Sequence, residues 1–141
     1  MRNRILLFAL TAVLCTGSMS FTKPADETCK GKFTLAWVYK GVYELFDYES
    51  KCHVWIDGKD MGETTASKCT VPNHADYKLK KGTHKIKVVS WVLYNDKWEE
   101  FNTANMYIMD AVYEGEFTLK KSGTLDLTFD LDQEKVQNGF K

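Results

Sequence analysis

The stretch EFTLKKSGTLDLTFDLD, residues 116–132, decides the fold class of this chain. In its second half, apolar residues alternate strictly with polar ones, which is the period of a strand that buries one face. The Lys-Ser-Gly triplet at 121–123 separates this half from residues 116–120 and indicates a turn. The stretch therefore predicts a β-hairpin with a solvated outer face, and its core side chains are Leu125, Leu127, Phe129 and Leu131.

Further runs of β-type residues precede this hairpin. Aromatic residues make up 13% of the chain and there are only two prolines, a composition that favours pleated, half-buried surfaces. A helix could begin near Asn102, but the alternation that follows favours a strand. The chain therefore predicts an all-β fold, an antiparallel β-sandwich of about seven to nine strands with immunoglobulin- or transthyretin-like architecture. The predicted strands are 33–39, 42–48, 52–57, 76–80, 84–94, 98–101, 106–113, 116–120 and 124–132.

The N-terminal segment has the pattern of a secretory signal peptide. Arg2 and Arg4 precede an apolar run over 5–15 and a small-residue stretch that ends at Ser20. The run is shorter than the roughly 20 apolar residues that a membrane-spanning helix needs. The expected protein is secreted or periplasmic, with lipidation at Cys15 as the alternative, and no span remains after signal removal. The predicted organisation is a signal peptide 1–20, a polar tether 21–32, a β-sandwich domain 33–132 and a polar tail 133–141.

The charge balance restricts the class of partner. The chain has 19 basic and 19 acidic residues, and removal of Arg2 and Arg4 leaves 17 basic residues against 19. A protein that binds nucleic acid needs a clear basic surplus to neutralise phosphates. We therefore expect a protein or a glycan at the cell surface as the partner, and no nucleic acid.

Three cysteines follow the predicted signal peptide: Cys29, Cys52 and Cys69. In an oxidising compartment we expect Cys52 and Cys69 to pair as a disulfide that closes a hairpin and its long loop. A less favoured alternative is a metal-dependent exported protein built on Cys52, Cys69 and His74, although their spacing matches no standard zinc site. We predict no metal and no cofactor.

The sequence contains no motif of a known catalytic centre. There is no Gly-x-Ser-x-Gly elbow, no His-Glu-x-x-His pair and no phosphate-binding glycine loop. Cys29 with a histidine could form a thiol–imidazole pair, but it lies in the predicted tether, where a rigid site is not expected. The chain is therefore predicted not to be an enzyme.

The candidate contact residues are aromatic and lie near predicted turns. Trp55 alternates with the expected core side chains of its strand, and Trp98 follows a polar turn after Tyr94. Exposed aromatic residues mark interaction surfaces, and the turn that begins at Asp57 and Lys59 would lie beside Trp55. We expect a non-catalytic exported binding module or cell-envelope interaction module. The alternative is a carbohydrate-binding β-sandwich that stacks sugars on exposed Trp and Tyr rings.

One part of the chain resembles a known family. The segments VWIDGK at 54–59, MGET at 61–64 and LKKGTHKIKV at 79–88 follow an order of strand, Asp-Gly turn, loop, glycine turn and strand. With this order, residues 52–89 resemble the PEGA-type β modules of bacterial cell-envelope and exported proteins, although the namesake tetrapeptide is replaced by TTAS at 64–67. The resemblance implies a non-catalytic surface or scaffolding module.

Overall fold

The structure is a computed structural model that describes residues 29–141. The predicted signal peptide, Cys15 and residues 21–28 of the predicted tether lie outside the described residues. The described chain contains ten strands and two short 3₁₀ turns, Glu44–Phe46 and Thr103–Asn105. The strands are β1 Lys30–Lys40, β2 Glu49–Ile56, β3 Lys59–Glu63, β4 Ser67–Lys68, β5 Asn73–Lys80, β6 Gly82–Tyr94, β7 Lys97–Glu100, β8 Val112–Leu119, β9 Ser122–Asp130 and β10 Lys135–Phe140.

The strands form two sheets. The four-stranded sheet has the order β10-β9-β1-β5, and its β1 and β9 are parallel while the other pairs are antiparallel. In the six-stranded sheet the order is β3-β2-β6-β7, with β4 paired to β2 and β8 paired to β6. The long β6 therefore carries β2 along one edge and both β7 and β8 along the other.

The core lies between the two sheets and is built from alternating side chains. Phe33, Leu35, Trp37 and Tyr39 of β1 are all buried, because every second residue of a strand points to the same face. Phe33 stacks on Phe117 with ring centroids 4.2 Å apart and so joins the two sheets. Other strands of both sheets contribute the same pattern, including Leu125, Leu127 and Phe129 of β9 and Cys52, Val54 and Ile56 of β2.

The predicted fold class is confirmed: the protein is an all-β sandwich. The predicted hairpin over 116–132 is wrong in its pairing: both strands form, but β8 pairs with β6 whereas β9 pairs with β1 and β10, so the turn between them connects the two sheets. The alternation of each strand reflects burial between the sheets and does not specify which strand it pairs with. The observed strand count is ten rather than seven to nine. The tail prediction needs correction, because residues 135–140 form β10 on the edge of β9. Residues 30–32 of the predicted tether likewise belong to β1.

Two predicted strands are wrong. Residues 42–48 form an irregular connection with a 3₁₀ turn, and most of 106–113 is irregular until β8 begins at Val112. The apolar residues of 42–48 and 106–111 do not enter a sheet, and Met106 adopts a left-handed conformation with φ +70°. These two segments supply most of the exposed apolar residues of the candidate site described below.

The predicted disulfide is also absent: Cys52 and Cys69 are both buried free thiols, called here the core thiols. The Cys52 thiol hydrogen-bonds to Ser90 and the Cys69 thiol to Ser50. Burial raises the pKa of both thiols, that of Cys69 to about 11. Cys29 is an exposed free thiol.

Candidate functional site

Exposed apolar side chains concentrate at one end of the sandwich, which we call the loop end and define as residues 41–48, 101–111 and 131–134. Leu45 is 89% exposed, Met106 93% and Tyr43 78%, and Phe46 and Ile108 are also largely exposed. Isolated exposed apolar residues are ordinary on a protein surface, but a group of them around one cleft marks an interaction site. Sequence reasoning missed this site because it assigned both segments to strands.

The first of these connections is fixed by polar contacts. The Phe46 N–H donates to the Tyr43 carbonyl at 2.8 Å and closes the 3₁₀ turn. The Asp47 carboxylate accepts from the Thr70 N–H at 3.1 Å and from its hydroxyl at 2.7 Å, and Lys68 Nζ donates to the Asp47 carbonyl at 3.0 Å. The backbone is therefore held while Tyr43 and Leu45 point to solvent.

The second connection is fixed in the same way. The Asn102 side chain accepts from the Asn105 N–H at 3.0 Å and caps the second 3₁₀ turn. The Asp110 carboxylate accepts from the N–H and the hydroxyl of Thr103 at 2.7 and 2.8 Å. These bonds close the loop across seven residues and fix the backbone that presents Met106 at its tip.

The two connections enclose an aromatic cleft of about 640 Å³. Its floor consists of Tyr39, Phe101 and Tyr107, of which the first two are buried in the core. Phe101 stacks on Tyr107 at 4.3 Å and contacts Tyr39 at 5.1 Å. The rim carries a second ring series, in which Tyr48 contacts Tyr94 at 5.5 Å and Phe46 at 6.3 Å. A concave site of this volume with mostly apolar walls, rich in aromatic rings, is typical of ligand and partner sites.

The polar groups of the cleft are mainly acidic. The charged lining residues are Glu99, Asp132 and Glu134, and within the described part of the chain no lysine, arginine or histidine lines the cleft. The Tyr107 hydroxyl donates to Glu99 Oε1 at 2.5 Å. Burial and the neighbouring carboxylate raise the pKa of Tyr107 well above its ordinary value, so this phenol stays a proton donor at neutral pH.

The sequence-predicted contact residues divide between different parts of the surface. Trp55 and Trp98 lie on the outer face of the six-stranded sheet, and both are only partly exposed. His53 stacks on Trp55 at 4.0 Å, and Lys51 Nζ lies 4.3 Å from the centroid of Trp98. Tyr94, by contrast, belongs to the loop-end cleft.

The predicted turn residues have mainly structural contacts. Asp57 Oδ2 lies 2.6 Å from His84 Nδ1, and its Oδ1 accepts from the Lys85 N–H at 2.9 Å. Lys59 is exposed at the start of β3. A shallow groove of about 790 Å³ lies near this turn, with Trp55, Gly58 and Lys87 among its lining residues.

The thiols and imidazoles of the less favoured metal hypothesis are not brought together. Cys52 points into the core, while His74 is exposed on β5. Among residues 29–141, no group of three or more His, Cys, Asp or Glu side chains is arranged to hold a metal ion. No helix in this part of the chain has the length and apolar character to cross a bilayer.

Comparisons with known proteins give likenesses in structure alone. No family model and no curated protein matches the sequence. Similar solved structures include a Gram-negative toxin (11% identity, TM-score 0.36), suilysin from Streptococcus suis (11%, 0.34) and a non-hemolytic pneumolysin from Streptococcus pneumoniae (14%, 0.34). Each alignment covers 79% of this chain but only 23–24% of the other chain.

Proposed function

We propose that this protein is a non-catalytic, exported binding module that contacts a protein partner through the loop end. The observation that carries the proposal is the group of exposed apolar side chains around the aromatic cleft. Leu45, Met106 and Tyr43 are each more than three-quarters exposed. Burying such side chains in a complex is favourable by about 25 cal/mol for each Å² of apolar area removed from water.

The rigid backbone of the loop end strengthens this interpretation. The carboxylates of Asp47 and Asp110 each accept two hydrogen bonds that fix their loops. A preorganised surface loses little conformational entropy when it binds. Aromatic residues at the centre of an interface supply most of the binding free energy, and here they form both the floor and the rim of the cleft.

The second candidate is carbohydrate binding on the outer face of the six-stranded sheet. It is favoured by the groove beside Trp55, which is also lined by Glu114 and Lys87. Trp55 is already stacked on His53, however, and Lys87 Nζ is paired with Glu114 at 2.9 Å. These groups would have to exchange internal contacts for sugar contacts, so we rank this candidate second.

The test is a selection of a random displayed peptide library on the purified protein. The double variant Leu45→Ser/Met106→Ser removes two apolar tips that make no core contact, and Trp55→Ala is the control on the other surface. We expect selected peptides to bind the wild type and Trp55→Ala equally. Loss of one well-buried apolar side chain costs about 1.5–3 kcal/mol, so the double variant should bind at least tenfold more weakly.

Two outcomes would contradict the proposal. One is that no selected peptide depends on the loop-end residues. The other is a glycan array in which the wild type binds sugars and Trp55→Ala does not, which would favour the second candidate. Urea unfolding of each variant verifies that it remains folded, because a loss of binding by an unfolded protein has no bearing on the site.

A further inference from the structure

We infer that the loop-end cleft accepts an arginine side chain from an apolar segment of the protein partner. This inference rests on the proposed function and specifies the chemistry of the partner. Three features of the cleft carry it: aromatic walls, unpaired carboxylates at the mouth and the absence of lining cations in the described chain.

The aromatic walls favour a cation with an apolar stem. The faces of Tyr and Phe rings attract a cation within about 6 Å of the ring centre. The rings in this cleft occur in two series, the floor of Tyr39, Phe101 and Tyr107 and the rim of Phe46, Tyr48 and Tyr94. A side chain that enters the cleft is therefore surrounded by rings of both series.

The carboxylates at the mouth supply the opposite charge. Asp132 and Glu134 lie in the β9–β10 turn, are exposed, and form no ion pair with another residue of the described chain. Gly41 leaves room for Asp132 at the cleft, since a Cβ at Gly41 would lie only 2.7 Å from the Asp132 Cγ. Glu99 is deeper and already accepts the Tyr107 hydroxyl through one oxygen. The second Glu99 oxygen and both turn carboxylates are therefore acceptors for an incoming donor.

These acceptors distinguish between possible occupants. An anionic group, including the phosphate of a lipid headgroup, would face three carboxylates with no lining cation to offset them. A neutral apolar side chain would fill the cleft but leave the carboxylates unused. Arginine fits better than lysine, because its planar guanidinium stacks on aromatic rings, binds carboxylates through two donors and is more weakly hydrated.

The test uses small side-chain analogues and ¹H–¹⁵N NMR of the purified protein. The four probes are n-butylguanidinium, n-butylammonium, n-butanol and butyrate. We expect n-butylguanidinium to shift resonances of the loop end selectively and to bind most tightly. Butyrate should cause no shift there. Added salt should weaken guanidinium binding, because the carboxylates at the mouth are exposed to solvent and are screened.

Charge variants make the test specific. Asp132→Asn/Glu134→Gln should weaken binding of n-butylguanidinium about tenfold, equivalent to about 1.4 kcal/mol, while leaving n-butanol binding unchanged. The control Glu114→Gln/Glu116→Gln removes the same charge from β8 and should have no effect. Equal binding of n-butanol and n-butylguanidinium, or tighter binding of n-butylammonium, would overturn the inference.

The selected peptides separate this inference from the proposed function. Replacement of arginine by norleucine in a peptide that binds the loop end should weaken the binding of that peptide at least tenfold. If that peptide binds equally well, the inference fails while the proposed function stands. If no peptide binds the loop end but vesicles of phosphatidylcholine do, both fail in favour of a lipid partner.

Discussion

His84 is predicted to couple the stability of the sandwich to pH. It lies near the start of β6 with both ring nitrogens against acceptor oxygens. Nδ1 is 2.6 Å from Asp57 Oδ2 and Nε2 is 2.7 Å from the Lys80 carbonyl oxygen. A neutral imidazole donates from one nitrogen only, so the charged imidazolium alone satisfies both contacts. Because Lys80 ends β5 and Asp57 follows β2, the ring links the two sheets.

The direction of the effect follows from the two pKa shifts. Burial disfavours the charged ring, but the hydrogen bonds to Asp57 and to the Lys80 carbonyl outweigh burial and raise the pKa of His84 above 6.5. Its contribution to stability is therefore complete below pH 6.5 and is lost as the pH rises through the folded-state value. The hydrogen bond from His84 lowers the pKa of Asp57 below 3.8, so the Asp57 contribution is lost as the pH falls through its folded-state value. The interaction of His84 with Asp57 should stabilise the protein most between pH 4 and 6.5, where both groups are charged.

The variant His84→Phe removes both donors but keeps a ring beside Phe117, whose centroid is 5.4 Å from that of His84. A hydrogen bond to a charged group contributes about 1.5–3 kcal/mol. The Asp57 side chain is 52% exposed, and solvent reduces its share. We therefore expect the free energy of unfolding of His84→Phe to be about 2 kcal/mol lower than that of the wild type at pH 6. The difference should shrink steadily towards pH 9.

Urea unfolding followed by tryptophan fluorescence between pH 5.5 and 9 measures this difference directly. The matched control is His53→Phe, which keeps the ring stacked on Trp55 while it removes a more exposed contact with Asp60. The reasoning would be refuted if wild type and His84→Phe showed the same pH dependence, or if their difference grew above pH 7.

Three further predictions concern thiols, a buried carboxylate and a glycine. Cys29 should react with a thiol reagent in the native protein, whereas the core thiols should react only after unfolding. Rapid labelling of all three cysteines in the native protein would contradict the burial of the core thiols. Asp130→Ala should lower the free energy of unfolding by about 2 kcal/mol, because Lys40, Gln133 and Gln137 each donate to this fully buried carboxylate. Calorimetry measures the loss. Gly31→Ala should lower the free energy of unfolding by about 1–3 kcal/mol, because its Cβ would lie 2.5 Å from the Lys121 carbonyl oxygen. The control is Gly139→Ala, whose Cβ meets open space. Equal effects of the two substitutions would contradict this account.

The sequence predicts the fold well where one face of a strand is buried. The alternation in residues 124–130 is read correctly as β9, because Leu125, Leu127 and Phe129 are all within the core. β10 is not predicted from the sequence, because its side chains are mostly exposed and show no clear alternation of apolar and polar residues. It is an edge strand held by its backbone ladder to β9, and backbone pairing leaves little trace in sequence.

The candidate site could not be predicted, and the cause is physical. Tyr43, Leu45 and Phe46 have the composition of a strand, and composition does not distinguish an apolar residue that packs from one that contacts a partner. The distinguishing contacts are non-local, such as that between Asp47 and Thr70. The excess of aromatic residues is a usable signal, but it favours Trp55 and Trp98, and of the predicted contact residues only Tyr94 lines the loop-end cleft. The predicted pairing of Cys52 with Cys69 is also wrong, since both are free thiols that hydrogen-bond to different serines.

The difference between the two aromatic surfaces explains why the loop end is the better candidate. On the outer sheet face, Trp55 is stacked on His53 and Trp98 lies under Lys51, so each ring already has an internal partner that shields it. At the loop end, Leu45 and Met106 remain almost fully exposed although hydrogen bonds fix the backbone on either side of them. A loop selected only for stability would turn such side chains inward, where burial is favourable. Their outward position on a rigid frame is therefore a cost to the free protein that an external contact can recover.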